Sequence, residues 1–323
     1  MPKRFSVFLP AVIAGMSLVA GLLFGAGRAQ AGGYASTATP VKPPALSSDS
    51  ATYVRVRAAS SVTASVPTLT PRPPLPTAGY LDDNWKRRPV IPEVDPAMRA
   101  VYEYGLSLGN DPHAFSKVGD CNSESEFYLT PFDRPGAYRL GPYAGLQALI
   151  DNFAGSFGRL SMAAQTGFGP GSLFDPTWAD PSLCSLDEGP LACEYRLHRP
   201  SLVLIGLGTH NQPQSQFENR MRTVIEFWLE RGVVPILSTK VDTEGGDWVN
   251  ADIAFLAGQY GVPLWNFWRA EQPLYNHGQP EGDGVHFTWA RNYFDSPYSL
   301  GHGWPVRNLT ALQALEAVWR AVR

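Results

Sequence analysis

Three short segments of the chain contain the residue types that acyl-transfer chemistry requires. Residues 119–123 read Gly-Asp-Cys-Asn-Ser, residues 206–211 read Gly-Leu-Gly-Thr-His-Asn, and residues 283–288 read Asp-Gly-Val-His-Phe-Thr. Acyl transfer needs a nucleophile, a base that takes its proton, an acid that orients the base, and N–H donors that stabilise the oxyanion. A cysteine, a histidine and an aspartate supply the first three types, and the Gly-rich segment supplies exposed backbone N–H groups.

The hydrophobic pattern around these segments alternates between strand-like and helix-like. Strands are predicted at 114–118, 160–163, 201–205, 233–237 and 262–265, and the apolar run at 201–205 is typical of a strand that is buried on both faces. Helices are predicted where apolar residues recur every three or four positions, at 143–153, 217–230, 251–260 and 309–322, the last with Asn308 as its N-cap. This alternation predicts an α/β fold, a three-layer α/β/α sandwich around a mainly parallel sheet of the flavodoxin-like kind. In such sheets ligands bind at the carboxyl ends of the strands, where the first two segments fall.

Together these motifs resemble the SGNH, or GDSL, hydrolase family over about residues 114–289. The resemblance lies in a Gly-Asp-nucleophile turn after the first strand, a glycine after the second, a Gly-x-x-Asn-like loop after the third and a late Asp-x-x-His. It implies an esterase, lipase or polysaccharide deacetylase that works without a cofactor. It assigns the nucleophile to Cys121, the base to His286 and the orienting acid to Asp283.

The same resemblance implies the oxyanion donors. The family's glycine falls on Gly167, after the predicted strand 160–163, with Gly155 as the alternative. Its asparagine falls on His210 in strict alignment, or on Asn211 after a shift of one residue. The chain departs from the family pattern at this asparagine and at the nucleophile, which is Cys rather than Ser. The sequence is therefore compatible with an active hydrolase and with an inactive relative that kept the fold.

Several residues have a second interpretation. Cys121 is a working thiolate, a small buried residue or one half of an intermolecular disulfide, and Ser123 or Ser125 could replace it as nucleophile. His277, Asp283 and His286 could instead bind zinc, although no dense ligand pair such as H-x-x-x-H is present, and no metal is expected. Among the tryptophans Trp265, Trp268, Trp289 and Trp304, we expect mostly core packing, with Trp268 or Trp289 as candidates for stacking on a sugar.

The amino-terminal part indicates export. Lys3 and Arg4 precede an apolar stretch and an Ala-Gln-Ala site, so residues 1–31 are predicted to be a signal peptide or a retained membrane anchor. Residues 32–92 are rich in Pro, Ser and Thr and are predicted to be a linker, with 53–57 as a possible short strand, before a domain at 93–323. In an oxidising exterior we expect Cys184 and Cys193 to form a disulfide, which leaves Cys121 free.

Charge restricts the partners. Of the net charge of −3, residues 1–92 carry +7, so the remainder carries −10. An acidic domain argues against nucleic acid, whose phosphates attract clustered positive charge. We therefore expect a secreted or membrane-tethered monomer that cleaves an ester, such as an O-acetyl or other acyl group on a glycan or lipid. The alternatives are a catalytically inactive domain that binds cell-surface glycan, and a structural surface protein in which the Pro-rich segment matters most.

Overall fold

The computed structural model describes residues 83–208, 213–241 and 248–323. The predicted signal peptide or anchor, most of the predicted linker and the possible strand at 53–57 lie outside these residues. His210 and Asn211, both candidate oxyanion donors, also lie outside them. Within the described ranges, no helix combines the length and the apolar character needed to cross a membrane.

The predicted fold class is confirmed, because a parallel four-stranded sheet forms the centre of the domain. Its strands, in spatial order, are β1 (Asp111–Gly119), β3 (Pro200–Gly206), β4 (Val234–Ser238) and β5 (Leu264–Trp265). A second, two-stranded parallel sheet joins β2 (Tyr138–Arg139) to β6 (Asn292–Tyr293). On the outer side of β1 an isolated parallel bridge pairs Gly119 with Ala164. The chain therefore leaves β1 in one direction and continues through β3 in the other, which creates a switch point between β1 and β3.

Eight α-helices lie among the described residues. They are α1 (Ala97–Ser107), α2 (Cys121–Glu124), α3 (Gln147–Asn152), α4 (Pro190–His198), α5 (Gln214–Leu229), α6 (Trp248–Tyr260), α7 (Phe267–Glu271) and α8 (Gly303–Val322). Helix α8 packs on α1, α3 and α7, whereas α5 packs on α6 and both contact β4. Helices thus cover the two faces of the sheet.

The central strands form because their residues are apolar at consecutive positions. All seven residues of β3 and all five of β4 are buried, which requires helices on both faces. The register pairs Val203 with Pro235 and Ile205 with Leu237, so β3 and β4 end at the same edge of the sheet. This edge is where the segment 119–123 and the Gly-rich segment that starts at Gly206 begin.

Three predicted elements are corrected. Residues 160–163 do not form a strand, because Ser161 starts a turn in which its hydroxyl accepts from Ala163 N, and only Ala164 pairs with β1. Helix α8 begins at Gly303 rather than after Asn308, so Asn308 lies inside the helix, is fully buried and is not an N-cap. The predicted helix at 143–153 is a 3₁₀ segment, Gly141–Leu146, that continues into α3.

Residues 83–92, which the composition assigns to the linker, pack against the domain. The indole of Trp85 is 4 % exposed and meets Trp268 edge to face, with ring centroids 5.0 Å apart. The buried amide of Asn266 donates to Trp85 O at 2.9 Å and to Arg88 O at 3.1 Å. The packed part of the chain thus extends at least to Asp83.

Candidate active site

The turn after β1 presents Cys121 at the carboxyl edge of the sheet. Asp120 caps α2 by accepting a hydrogen bond from Asn122 N at 3.1 Å, so the chain turns into a helix immediately after the strand. Only glycine fits at position 119, because a Cβ there would lie 2.2 Å from Ser123 Oγ and 2.4 Å from Gly206 O. The Gly-Asp pair therefore brings Cys121 to the first position of α2.

The loop at 283–286 holds an imidazole in a fixed orientation. The carboxylate of Asp283 accepts from Val285 N at 2.8 Å and from His286 N at 3.0 Å, and its second oxygen lies 2.9 Å from His286 Nδ1. The pKa of Asp283 is lowered, mainly by the backbone hydrogen bond from His286 and further by that from Val285. An ionised Asp283 keeps the proton on Nδ1, which leaves Nε2 to act as a base.

One hydrogen bond connects these two segments. The amide of Asn122, which is 2 % exposed, donates to Val285 O at 2.9 Å. Cys121 directly precedes Asn122, and His286 directly follows Val285. The structure thus holds the two segments that contain the sequence-predicted nucleophile and base against each other, although these residues are 165 positions apart. No hydrogen bond joins the Cys121 thiol to the His286 ring in the described structure, and such catalytic contacts often shorten only when substrate binds.

The environment of Cys121 keeps it a thiol at neutral pH. Burial raises the pKa of Cys121, and the negative charge of Asp120 raises it further. Lys240 opposes this shift, as do the N–H of Asn122 and the charge of Arg307. Reactive cysteines that exist as thiolates have a lowered pKa, so Cys121 needs a base that removes its proton during attack.

Sequence reasoning missed the ion pair beside Cys121. Asp120 is 2 % exposed and accepts a hydrogen bond from the ammonium of Lys240, which follows β4. The pair therefore connects the carboxyl ends of β1 and β4 across the end of β3. The same strand-end rule that selected Cys121 could have identified Lys240, because both residues follow buried strands.

A second unforeseen charge lies behind the turn. Arg307 of α8 is 4 % exposed, and its guanidinium carbon lies 4.5 Å from the ring centre of Tyr128 and 4.8 Å from that of Phe267. The nearby Glu271 is fully buried, and burial raises its pKa well above the ordinary value, although Arg307 opposes the shift. Cation–π contacts stabilise such a desolvated guanidinium.

Gly167, the predicted oxyanion donor, lies on a loop that is bonded to α2. It has φ +91° in the loop that follows the Ala164 bridge, and the neighbouring Thr166 donates from N and Oγ1 to Glu124 Oε2, both at 2.6 Å. Within the described residues the Gly167 N–H makes no hydrogen bond, so it is available to a ligand. Gly155, the alternative, already donates its N–H to Asp133 at 2.7 Å.

The two alternative serines are less suitable nucleophiles. Ser123 is 2 % exposed, and its hydroxyl faces the interior between Gly119 and Gly206. Ser125 Oγ accepts from Phe127 N at 3.2 Å, beyond the turn. Neither hydroxyl is presented at the sheet edge as Cys121 is.

The remaining sulfur, histidine and tryptophan residues are distributed as follows. Cys184 and Cys193 form a disulfide, and Cys121 is the free cysteine. In the described part of the chain, His277 does not join Asp283 and His286 in a group close enough to share a metal ion. Trp265 and Trp304 are buried in the core, Trp268 packs on Trp85, and Trp289 is 56 % exposed.

Comparison of the chain with protein-family models, with curated proteins and with solved structures finds no match. The assignment of a function therefore depends on the geometry of this site.

Proposed function

We propose that this protein is an ester hydrolase of the SGNH type, with Cys121 as nucleophile, His286 as base and Asp283 as the acid that orients it. The observation that carries the proposal is the Asn122–Val285 hydrogen bond, which holds the Cys121 turn against a histidine already oriented by a carboxylate. Neighbouring Gly167 offers an unused N–H on a loop bound to α2.

The proposed reaction has two steps. In the first, His286 Nε2 takes the thiol proton while Cys121 Sγ attacks the ester carbonyl carbon, and the carbonyl oxygen becomes an oxyanion that accepts from Gly167 N–H. The C–O bond then breaks, and the alcohol leaves with the proton from His286, which yields a thioester. In the second step, water attacks the thioester with His286 as base, and the carboxylic acid and the thiol are released.

The raised pKa of Cys121 determines the order of events. Because the resting sulfur holds its proton, attack and proton transfer to His286 have to occur together, as in a serine hydrolase. We therefore propose that the site works with either sulfur or oxygen at position 121. Cys121→Ser is the decisive variant.

The test compares single variants of the full chain on a panel of acetyl and longer-chain nitrophenyl esters and on O-acetylated glycans. Cys121→Ala and His286→Ala should each lower kcat/KM by about 10²- to 10⁴-fold, whereas Cys121→Ser should retain or gain activity. His302→Ala is the matched control, because the His302 ring lies outside this site, with Nδ1 2.8 Å from Tyr298 O. Thermal unfolding of each variant excludes loss of folding as the cause.

A catalytically inactive glycan-binding domain is the second candidate function. It is favoured by the thiol state of Cys121 and by the absence of a Cys121–His286 hydrogen bond among the described contacts. If the wild type and Cys121→Ser both fail to cleave any ester of the panel and the protein still binds glycan, the glycan-binding function is supported. Activity that survives in Cys121→Ala and disappears in His286→Ala would instead assign the attack to a water molecule or to another hydroxyl.

A further inference from the structure

A groove of about 380 Å³ lies between the segment that follows α2 and the segment that follows His286. One wall contains Glu126, Phe127 and Arg134, and the other contains Trp289 and Arg291. Trp289 is three residues after His286, and Phe127 is six residues after Cys121 in the printed sequence. The two walls therefore belong to the same two segments as the candidate nucleophile and base, and the groove volume is within the range of ligand sites.

Two aromatic side chains of the groove are exposed. The indole of Trp289 is 56 % exposed and the ring of Phe127 is 40 % exposed, and their ring centroids lie 6.3 Å apart. Phe127 is also held from below by Trp304, at 5.9 Å between centroids. Exposed aromatic faces of this size, fixed in place, are suited to stacking on the C–H faces of sugar rings.

The walls are held by one buried side chain. The amide nitrogen of Asn308 donates to Phe127 O at 2.8 Å and to Asn292 Oδ1 at 3.0 Å, and its oxygen accepts from Leu129 N at 2.9 Å. Asn308 is fully buried and thus ties the Phe127 wall to the residue after Arg291. A groove positioned from the core is preorganised for binding, which lowers the entropy cost of association.

The charge of the groove is opposite to that of the domain. Residues 93–323 carry −10, yet the exposed groove residues contribute two guanidinium groups, Arg134 and Arg291, against one carboxylate, Glu126. Within the described residues neither arginine forms an ion pair, and the Arg291 guanidinium donates to Tyr293 OH at 3.0 Å and lies 5.8 Å from the centre of the Tyr293 ring. Unpaired guanidinium groups beside an aromatic face indicate an anionic ligand, because arginine binds carboxylate and sulfate groups through paired N–H donors.

We infer that this groove binds an acidic polysaccharide, whose sugar rings stack on Trp289 and Phe127 while its carboxylate or sulfate groups pair with Arg134 and Arg291. The inference rests on the proposed function in one respect: it takes the polysaccharide to be the alcohol part of the ester that is cleaved. Binding itself needs no hydrolysis, so the two are tested separately.

The test measures binding of polygalacturonate by calorimetry and native affinity electrophoresis, with the full chain as Cys121→Ala to prevent turnover. Trp289→Ala should weaken binding by about tenfold, and the double variant Arg134→Gln/Arg291→Gln should do the same and reduce the salt dependence. Neutral dextran should bind more weakly than polygalacturonate at low salt. Matched controls are Phe174→Ala, an exposed aromatic that packs on Phe227, and Arg99→Gln on α1, and both should bind like the parent.

Two results overturn the inference: equal affinity for dextran and polygalacturonate, or unchanged polygalacturonate binding in the groove variants. Hydrolysis of nitrophenyl acetate by the wild type is measured in parallel. Groove-dependent polyanion binding without any ester cleavage supports the groove and contradicts the hydrolase proposal. Ester cleavage with groove-independent binding supports the hydrolase and overturns the groove.

Discussion

The charges of Asp120 and Lys240 shift the pKa of the Cys121 thiol in opposite directions. Burial raises the pKa of Cys121, Asp120 raises it further, and Lys240 offsets only part of this increase. The Asp120–Lys240 pair is itself buried, so its charges are screened less by salt than those of surface pairs. The resting cysteine is thus a poor nucleophile by itself, and its chemistry depends on His286.

The first prediction concerns the reactivity of this thiol. Iodoacetamide should alkylate Cys121 more slowly at pH 7 than it alkylates a free cysteine, because alkylation consumes the thiolate and the pKa is raised. The midpoint of the rate against pH should lie above about 8.5, the ordinary cysteine value. Mass spectrometry follows the reaction at a single site, since the other two cysteines form a disulfide. A midpoint well below the ordinary value would show a stabilised thiolate and would remove the argument for concerted proton transfer.

A second prediction at this scale concerns Asp252 on α6. It is 4 % exposed, and one carboxylate oxygen accepts from Gln214 Nε2 at 2.9 Å while the other has no partner in the described structure. Burial raises the pKa of Asp252 to about 6. The unfolded chain loses this proton near pH 4, so the wild type should lose stability as the pH rises from about 4 to 6.

Asp252→Asn should therefore be more stable than the wild type above pH 6, by about 1–2 kcal/mol after allowance for solvent screening. Below pH 4 the two proteins should unfold alike. Urea unfolding at pH 4, 6 and 8 measures the difference, with the exposed Asp187→Asn as control. A constant difference across this range would contradict titration of Asp252 as the cause.

At the scale of elements, Glu194 joins three parts of the chain. This carboxylate of α4 is fully buried and accepts from Ser116 Oγ of β1 at 2.5 Å, from Arg159 Nη1 at 2.7 Å and from Met162 N at 2.8 Å. It thereby fixes the segment that leads to Ala164 and Gly167 against the outer side of β1. The segment has no ladder of its own, so Glu194 replaces the hydrogen bonds that a strand would supply.

The third prediction follows from these contacts. Glu194→Gln should lower the free energy of unfolding by about 3 kcal/mol, because it leaves the partly buried Arg159 without its charged partner and replaces a buried acceptor with a donor. Glu316→Gln is the control, since Glu316 pairs with Arg320 on the helix surface and such pairs contribute about 0.3–0.5 kcal/mol. Equal effects of the two variants, measured by urea unfolding, would show that Glu194 does not hold the segment.

The elements that the sequence predicted well are those that local pattern determines. Continuous apolar runs identified β3 and β4, and the Gly-Asp and Asp-x-x-His spacings identified the Cys121 turn and the His286 loop. The start of α8 was wrong because long-range contacts bury its first polar residues, and Asn308 bonds to groups about 180 positions away. The position of Lys240 directly after β4 could have placed it at the same sheet edge as Asp120, but the pairing itself is a contact across 120 positions that sequence spacing does not specify.

At the scale of the whole molecule, the position of the junction between the predicted linker and the domain determines how much of the chain folds together. Composition places the junction after residue 92, because residues 32–92 are rich in Pro and Ser. In the structure Trp85 is buried against Trp268, Arg88 Nη1 donates to Ala254 O at 3.1 Å, and Asn266 N donates to Val90 O at 3.1 Å. Residues 83–92 thus cover α6 and α7 rather than leading away from them.

The last prediction compares two shortened chains, one that begins at Asp83 and one that begins at Glu93. The first should retain the melting temperature of the full domain, whereas the second should lose about 10 °C, because it exposes the Trp85 site and leaves the buried amide of Asn266 without acceptors. Trp85→Ala in the full chain separates the two causes, since it removes the indole and keeps the backbone carbonyl that Asn266 bonds. The melting temperature of Trp85→Ala should therefore lie between those of the chain that begins at Asp83 and the chain that begins at Glu93. Equal melting temperatures for the two shortened chains would place the junction at residue 93, as the composition alone predicts.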